Sequence, residues 1–394
     1  MNIAIFTDCY FPVKNGVVTS IAQLKSGLEA RGHRVIIFTV AAKGYQDSDS
    51  SIIRFRSFPI GLGTELSFGL VNQVRVNRIL ASENIQLLHS HTEFNLCISA
   101  IRAARRLNLP RVQTTHTLWE EYRHYVMNGY LINAALVRFF ARLLFGTCRG
   151  LVAPSIKAAK YYGKLLPGIP LRVIPNGMDQ QKFNQHEFNA DELLKLRHRL
   201  GLDSTHAVIL FVGRIGREKR VLELFQVLVP VLRARPSSRL LMVGDGPEFQ
   251  ELTSRCRALE LEKQVICTGY VEWNAIRGIY HIADLFVTAS LSEVHPMTLL
   301  EAMMCGLPVV ARRDDSFLDT VNPGVNGYLV DSDAQLAEKV ADLIDYEDLR
   351  KHFGQSSLRI AKEFSGERHA ERMEGFYRDI LQEFESQGVP REIA

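Results

Sequence analysis

Along this chain, short runs in which every residue is apolar alternate with stretches in which apolar residues recur every three or four positions. Ile3–Phe6, Val35–Val40, Ile85–His89, Val112–Thr115 and Leu151–Ala153 read as buried strands, with helical patterns separating most of them. A strand that is apolar throughout is covered on both faces, so the rhythm predicts a parallel sheet with helices on either side, the doubly wound arrangement. The same rhythm then restarts: Val208–Val212, Leu240–Val243, Val265–Thr268, Leu285–Val287 and Val309–Val310 form a second strand series. Ile174-Pro175-Asn176-Gly177-Met178 has turn chemistry and separates the two, which sets the expected domains at residues 1–175 and 176–366. Residues 367–386 read as one last helix, and the tail 367–394 is expected to return toward the first domain. Ligands of open α/β sheets bind beyond the carboxyl ends of the strands, so two such sheets facing each other predict a cleft between the domains.

Composition is consistent with this α/β reading. A chain of 394 residues exceeds what one hydrophobic core usually supports, and 46% hydrophobic with 23% charged residues is an ordinary globular make-up. The six cysteines, at 9, 97, 148, 256, 267 and 305, form no C-x-x-C pair, which argues against a disulfide framework or a zinc site and fits a reducing cytoplasm. The opening Met-Asn-Ile-Ala-Ile-Phe-Thr-Asp is too short an apolar stretch for a secretory signal, and no run approaches the ~18 apolar residues of a membrane span.

Charge changes the picture more. The net +4 hides an asymmetry, because residues 1–175 carry 21 basic and 9 acidic side chains, net +12, whereas residues 176–394 carry 26 and 34, net −8. A basic first domain beside an acidic second one predicts that the first alone meets a polyanion, either nucleic acid or an anionic membrane surface.

Four clusters fall where strand-end loops are expected. In Asp8–Gly16, Gly16 lets backbone approach a ligand and the free amides of the next helical turn favour an anion, although Asn-Gly also simply makes a tight turn. In Gly213-Arg214-Ile215-Gly216-Arg217-Glu218-Lys219, two cations five residues apart on a glycine-broken loop are placed to grip two phosphates; the alternative is solvated surface. Glu293 and Glu301 bracket a loop and the first turns of a helix expected from about Met297 to Cys305, so they can contact opposite parts of one ligand, or merely favour the helix dipole. His116, at a strand end within Thr114–Tyr125, either donates to a sugar hydroxyl or is a satisfied core histidine.

With these clusters in view, the chain resembles, over nearly its full length, the retaining GT-B glycosyltransferases, the family 4-like group that includes sucrose synthase-like and phosphatidylinositol mannosyltransferases. The resemblance implies two Rossmann-like domains, Glu301 on the nucleotide ribose, Glu293 near the donor sugar, and Arg214 and Lys219 holding the donor diphosphate. Gly16 resembles the family's glycine contact to phosphate, His116 the histidine beside the transferred sugar, and Gly244-Asp245-Gly246-Pro247 a recurrent family turn. Tyr270 and the amides of Met297 and Thr298 complete the expected donor set. Pro296 departs from the glycine of many relatives and removes one amide from that set.

His91-Thr92-Glu93-Phe94 together with Thr115-His116-Thr117-Leu118-Trp119-Glu120-Glu121-Tyr122 is similar to bacterial 1,2-diacylglycerol 3-glucosyltransferases. That implies transfer of glucose or galactose from a UDP-hexose to the 3-hydroxyl of diacylglycerol with the α configuration kept, at the inner face of the cell membrane. Trp119, Tyr122, Arg123, Arg138 and Arg142 are the acceptor and membrane candidates. Leu131–Phe145 reads as an apolar helix whose Arg138 and Arg142, with Arg149, fall on one stripe, suited to a membrane interface or to a core helix with a solvated edge. Charge stabilisation by Arg214 and Lys219 requires no metal or other cofactor, and no Asp-x-Asp site is evident. Competing readings are the same fold with phosphatidylinositol, a soluble sugar or a polysaccharide as acceptor, and a nucleotide-sugar epimerase. Nucleic acid is not an expected partner, since no helix-turn-helix or RNA-binding signature is present.

Overall fold

The computed structural model describes residues 1–13, 15–59, 67–118, 134–183 and 188–387. It divides into two compact units, Met1–Met178 with Gly366–Ala394, and Asp179–Ser365. By this division the first unit has 25 basic and 16 acidic residues, net +9, and the second has 22 and 27, net −5.

The first unit runs β1 (Asn2–Phe6), α1 (Gly16–Ala30), β2 (Arg34–Val40), β3 (Ile52–Phe55), β4 (Ser57–Pro59), β5 (Ser67–Gly69), α2 (Gln73–Ser82) and β6 (Leu87–Ser90). It continues with α3 (Asn95–Leu107), β7 (Arg111–Thr114), α4 (Ala134–Phe145), β8 (Gly150–Ala153), α5 (Ile156–Leu165) and β9 (Leu171–Val173). Its parallel sheet has the order β3-β2-β1-β6-β7-β8-β9, with β4 and β5 forming a separate antiparallel pair.

Alternation along β1 explains why both faces are covered. Ile3 and Ile5 join one core with Val18, Ile21, Leu24 and Leu28 of α1, while Ala4 and Phe6 join another with Val76 and Leu80 of α2 and Leu96 and Ala100 of α3. Each buried Ile or Phe stabilises by about 1.5–3 kcal/mol relative to exposure.

The second unit comprises α6 (Ala190–Arg199), β10 (Ala207–Val212), α7 (Val221–Ala234), β11 (Ser238–Val243), α8 (Phe249–Ala258), β12 (Val265–Gly269) and α9 (Trp273–His281). After these come β13 (Leu285–Thr288), α10 (Met297–Met304), β14 (Val309–Arg312), β15 (Gly327–Val330), α11 (Asp333–Asp345) and α12 (Glu347–Ala361). The six strands are all parallel, in the order β12-β11-β10-β13-β14-β15. Strand order reverses between β1 and β6 in one sheet and between β10 and β13 in the other, and such switch points are where doubly wound sheets leave room for ligands.

The last helix, α13 (Gly366–Ser386), belongs to the first unit. Ala370, Met373, Phe376, Tyr377 and Ile380 recur at helical spacing and enter the core that holds α1. Gly27 makes the crossing possible, because a Cβ there would stand 2.6 Å from that of Ala370.

Candidate functional site

In the second unit the loop after β10 carries Arg214 and Lys219, and the loop after β13 carries Glu293, so the switch point brings all three to one end of the sheet. Lys219 Nζ lies 2.5 Å from Glu293 Oε1, across 74 residues of sequence. Ser292 Oγ donates to the Glu218 carbonyl at 2.8 Å and ties the same two loops together. Arg214 stays half exposed, its Nε 3.8 Å from Glu218 Oε1.

The β10 loop is held from its other side by the turn after β11. Ile215 N–H donates to the Asp245 carbonyl at 2.9 Å and Glu248 N–H to the Ile215 carbonyl at 3.0 Å. At Gly244, with φ of 137°, a Cβ would meet the Gly213 carbonyl oxygen at 1.9 Å, so no other residue fits without moving the cationic loop. The Gly244–Pro247 turn therefore braces Arg214 and Lys219.

Glu301 projects from the second turn of α10, and the Tyr280 hydroxyl donates to its Oε2 at 2.6 Å. Burial raises the Glu301 carboxyl to about 7, with the Tyr280 bond pulling the other way. Tyr280 is fully buried, which pushes its own hydroxyl well above the usual tyrosine value.

One expected feature of α10 needs correction. The Met297 N–H is engaged with the His295 carbonyl at 3.0 Å, so the amides offered by the first turn are those of Thr298 and Leu299 rather than of Met297 and Thr298. The physical reason is Pro296, which lacks an N–H and leaves His295 to turn the chain into the helix. Tyr270, just beyond β12, is 66% exposed and presents its ring freely.

In the first unit Gly16 is the first residue of α1. The Asn15 side chain caps that helix by accepting from Val18 N–H at 3.0 Å, so Asn-Gly opens a helix here instead of merely making a tight turn. Asp8 is a structural acid. It is buried, accepts from Thr92 Oγ1 at 2.6 Å and from Leu96 N–H at 3.1 Å, and so caps α3, which has no side-chain cap of its own. Burial, its largest influence, raises its carboxyl above the usual range.

His116, two residues beyond β7, lies against a cluster the sequence did not disclose. His91 Nδ1 is 3.0 Å from His116 Nε2 with the rings stacked, and His89 packs on His91 with ring centroids 4.0 Å apart. His89 is bonded on both sides, to Tyr377 Oη at 2.6 Å and to Thr114 Oγ1 at 2.7 Å. Burial pushes His116 down to about 3, His369 of α13 down to about 4, and His89 and His91 well below the ordinary histidine value. His116 is thus an uncharged hydrogen-bonding ring near neutral pH, neither a cation nor a fully enclosed core residue. Sequence reasoning named His91 only as part of a motif and missed His89 and Tyr377; the pattern His-Ser-His at a strand end was the available signal.

Among the acceptor candidates, Trp119, Tyr122 and Arg123 lie outside the described residues. Arg138 and Arg142 are exposed on α4, and Arg142 Nε also donates to the Leu165 carbonyl at 3.2 Å. Arg149 does not continue their stripe. The helix ends at Phe145, and Arg149 turns instead onto α13, donating to Gln387 Oε1 at 2.9 Å and lying over the Phe384 ring. α4 is apolar on two sides: Ala141 and Phe145 are buried, whereas Phe139 is 60% and Leu143 58% exposed. Among the described residues no helix is long and apolar enough to cross a membrane.

Comparison with known proteins agrees with this layout. Residues 194–359 match the family described as glycosyl transferases group 1, and residues 14–182 match glycosyltransferase family 4. The chain is 31% identical over 383 residues to the alpha-monoglucosyldiacylglycerol synthase of Streptococcus pneumoniae, covering 97% of this chain and 86% of that one. It is 29% identical over 389 residues to the alpha-monoglucosyldiacylglycerol synthase of Acholeplasma laidlawii, covering 97% and 98%. Among solved structures, Anabaena Alr3699/HepE in complex with UDP and glucose has the same fold, with a TM-score of 0.74 at 18% identity over 96% of this chain and all of that one.

Proposed function

The chain belongs to the GT-B glycosyltransferases that join a family 4 half to a group 1 half, and on that premise we propose that it moves glucose from UDP-glucose to the 3-hydroxyl of 1,2-diacylglycerol. The observation that carries this reading is its full-length similarity to two alpha-monoglucosyldiacylglycerol synthases. UDP-galactose is the donor to test against it.

In this mechanism the diphosphate of the donor sits at the β10–β13 end, where Arg214 and Lys219 stabilise the charge that grows as its bond to the anomeric carbon breaks. Phosphate competes with Glu293 for Lys219, and the carboxylate so released turns to the sugar hydroxyls. Glu301 holds the ribose with the carboxylate oxygen that Tyr280 leaves open. The acceptor oxygen attacks on the face from which the diphosphate departs, its proton passes to a leaving-group phosphate oxygen, and the α configuration is kept. The residues that do this are side chains of the protein itself, and the proposed scheme uses no metal or cofactor. His116, neutral, serves as a hydrogen-bonding group for sugar or acceptor.

The lipid acceptor is met at a membrane surface. Phe139, Phe140 and Leu143 on α4 are exposed beside Arg138 and Arg142 on a unit of net charge +9, which suits an anionic leaflet. Incubating the full chain with labelled UDP-glucose or UDP-galactose and vesicles containing diacylglycerol tests the reading. The expected product is an α-monoglucosyldiacylglycerol by mass and proton NMR; label appearing only on another acceptor overturns it.

A further inference from the structure

We propose that His91 is a positioning residue: its Nδ1–H donates to His116 Nε2 and so holds His116 in the tautomer whose Nδ1–H faces the ligand. This rests on the reading of His116 given above and adds the group that orients it.

The two rings meet nitrogen to nitrogen at 3.0 Å, a distance that needs one proton between them. Both are uncharged near neutral pH, so each carries a single N–H, and the choice made at the contact dictates the state of both outer nitrogens. If His116 were the donor, His91 would carry its proton on Nε2. That atom is buried and has no hydrogen-bond partner among the described residues. A buried orphan N–H is rarer and costlier than an unused lone pair, so the proton belongs on His91 Nδ1. His116 Nε2 then accepts, and its proton must stand on Nδ1, which has no hydrogen-bond partner among the described residues.

The donor ring is itself held in place. The His91 backbone N–H donates to the Phe6 carbonyl at 2.9 Å, and its ring rests on His89, which is pinned between Tyr377 and Thr114. A neutral N–H aimed outward suits a sugar or glycerol hydroxyl oxygen, whereas the other tautomer would present only an acceptor.

The test uses the full chain with 15N-labelled histidine, alongside His91→Leu, His91→Asn and His116→Ala. In the unsubstituted protein His116 is expected to show a protonated Nδ1 and an unprotonated Nε2. In His91→Leu the Nε2–H form should appear and kcat should fall by about 10-fold, the lower end of what is lost when a partner orienting a histidine in a metal site is removed. The donor KM should move by less than about twofold. His91→Asn, whose amide N–H reaches the same place, should recover most of the rate. Protonation of His116 on Nε2 in the unsubstituted chain overturns the proposal, as does a His91→Leu protein whose kcat and His116 nitrogen shifts are unchanged. If His116→Ala turns over normally, the functional reading of His116 fails by itself, and the nitrogen shifts still decide the tautomer.

Discussion

At the switch point of the first sheet burial has gathered histidines and kept them uncharged; at the same topological place in the second sheet stand an exposed arginine and a lysine paired with a glutamate. Both units reach that place by the same means, parallel strands of continuous apolar sequence ending in loops. The difference lies in the side chains that each strand's end and its loop present. In the proposed function, the uncharged rings would meet hydroxyls by direction, and the cations braced by a glycine turn would meet the charge of a diphosphate.

The hardest blow to this contrast is Lys219→Ala. It should lower kcat on the order of a hundredfold, the usual loss of one electrostatic donor to a developing anion, with Lys219→Arg recovering part of it. Steady-state kinetics with UDP-glucose measure this, and unaltered turnover would mean the second unit's charge serves something else.

Glu301→Ala should come next, weakening UDP by about tenfold in calorimetry, equivalent to about 1.4 kcal/mol. The loss should fall on binding more than on kcat, unlike that of Lys219.

On α4, Arg138→Ala should reduce partition onto anionic vesicles by about fivefold, corresponding to ~1 kcal/mol for one cation at the surface. Sedimentation with vesicles of rising anionic lipid content checks it, and no dependence on that lipid would remove the membrane role of the helix.

The smallest effect is the sharpest discriminator, because acid should act oppositely on the buried histidines of the first unit and the buried glutamate of the second. His116 and His369 titrate in the fold at about 3 and about 4, below the ordinary 6.5, so their share of stability is present above 6.5 and is lost as pH falls. Glu301 titrates at about 7 in the fold against 4.5 when free, so the fold holds a proton the unfolded chain has released, and its share is lost as pH rises from 4.5 to 7. Going from pH 7 to 5 should therefore lower the melting transition of the first unit by a few degrees, whereas in the second unit Glu301 works against the loss from His206 and His281, which burial holds below the ordinary histidine value. Glu301→Gln should remove that opposing share, so that acid lowers the second unit's transition further, and should leave the first unit's response intact, as followed by calorimetry.

Much of the framework was legible in advance. Every apolar run from Ile3–Phe6 to Val309–Val310 overlaps a parallel strand, and the helices at Met297 and at 366–386 begin within a residue or so of expectation. The strands that escaped notice are β3, β9 and β15, which form the edges or flanks of their sheets, together with the β4–β5 pair. Leu171-Arg172-Val173 is largely exposed, and an edge strand has one neighbour and little need of apolar sequence, so it leaves a faint trace.

The candidate site divided in the same way. The spacing of Glu293 and Glu301 and of Arg214 and Lys219 was visible, as was the charge difference between the halves. That Lys219 would hold Glu293, that Tyr280 would hold Glu301, and that Tyr377 would reach His89 from 288 residues away was not.

The amino-acid order by itself determined which segments would be strands and helices and which loops would carry charge, because burial on two faces or on one stripe leaves a local period. Only the tertiary structure decided which of those charges are paired and which rings stay neutral. Desolvation and hydrogen bonding depend on what stands within a few ångströms in space, and neighbours in space are seldom neighbours in the chain.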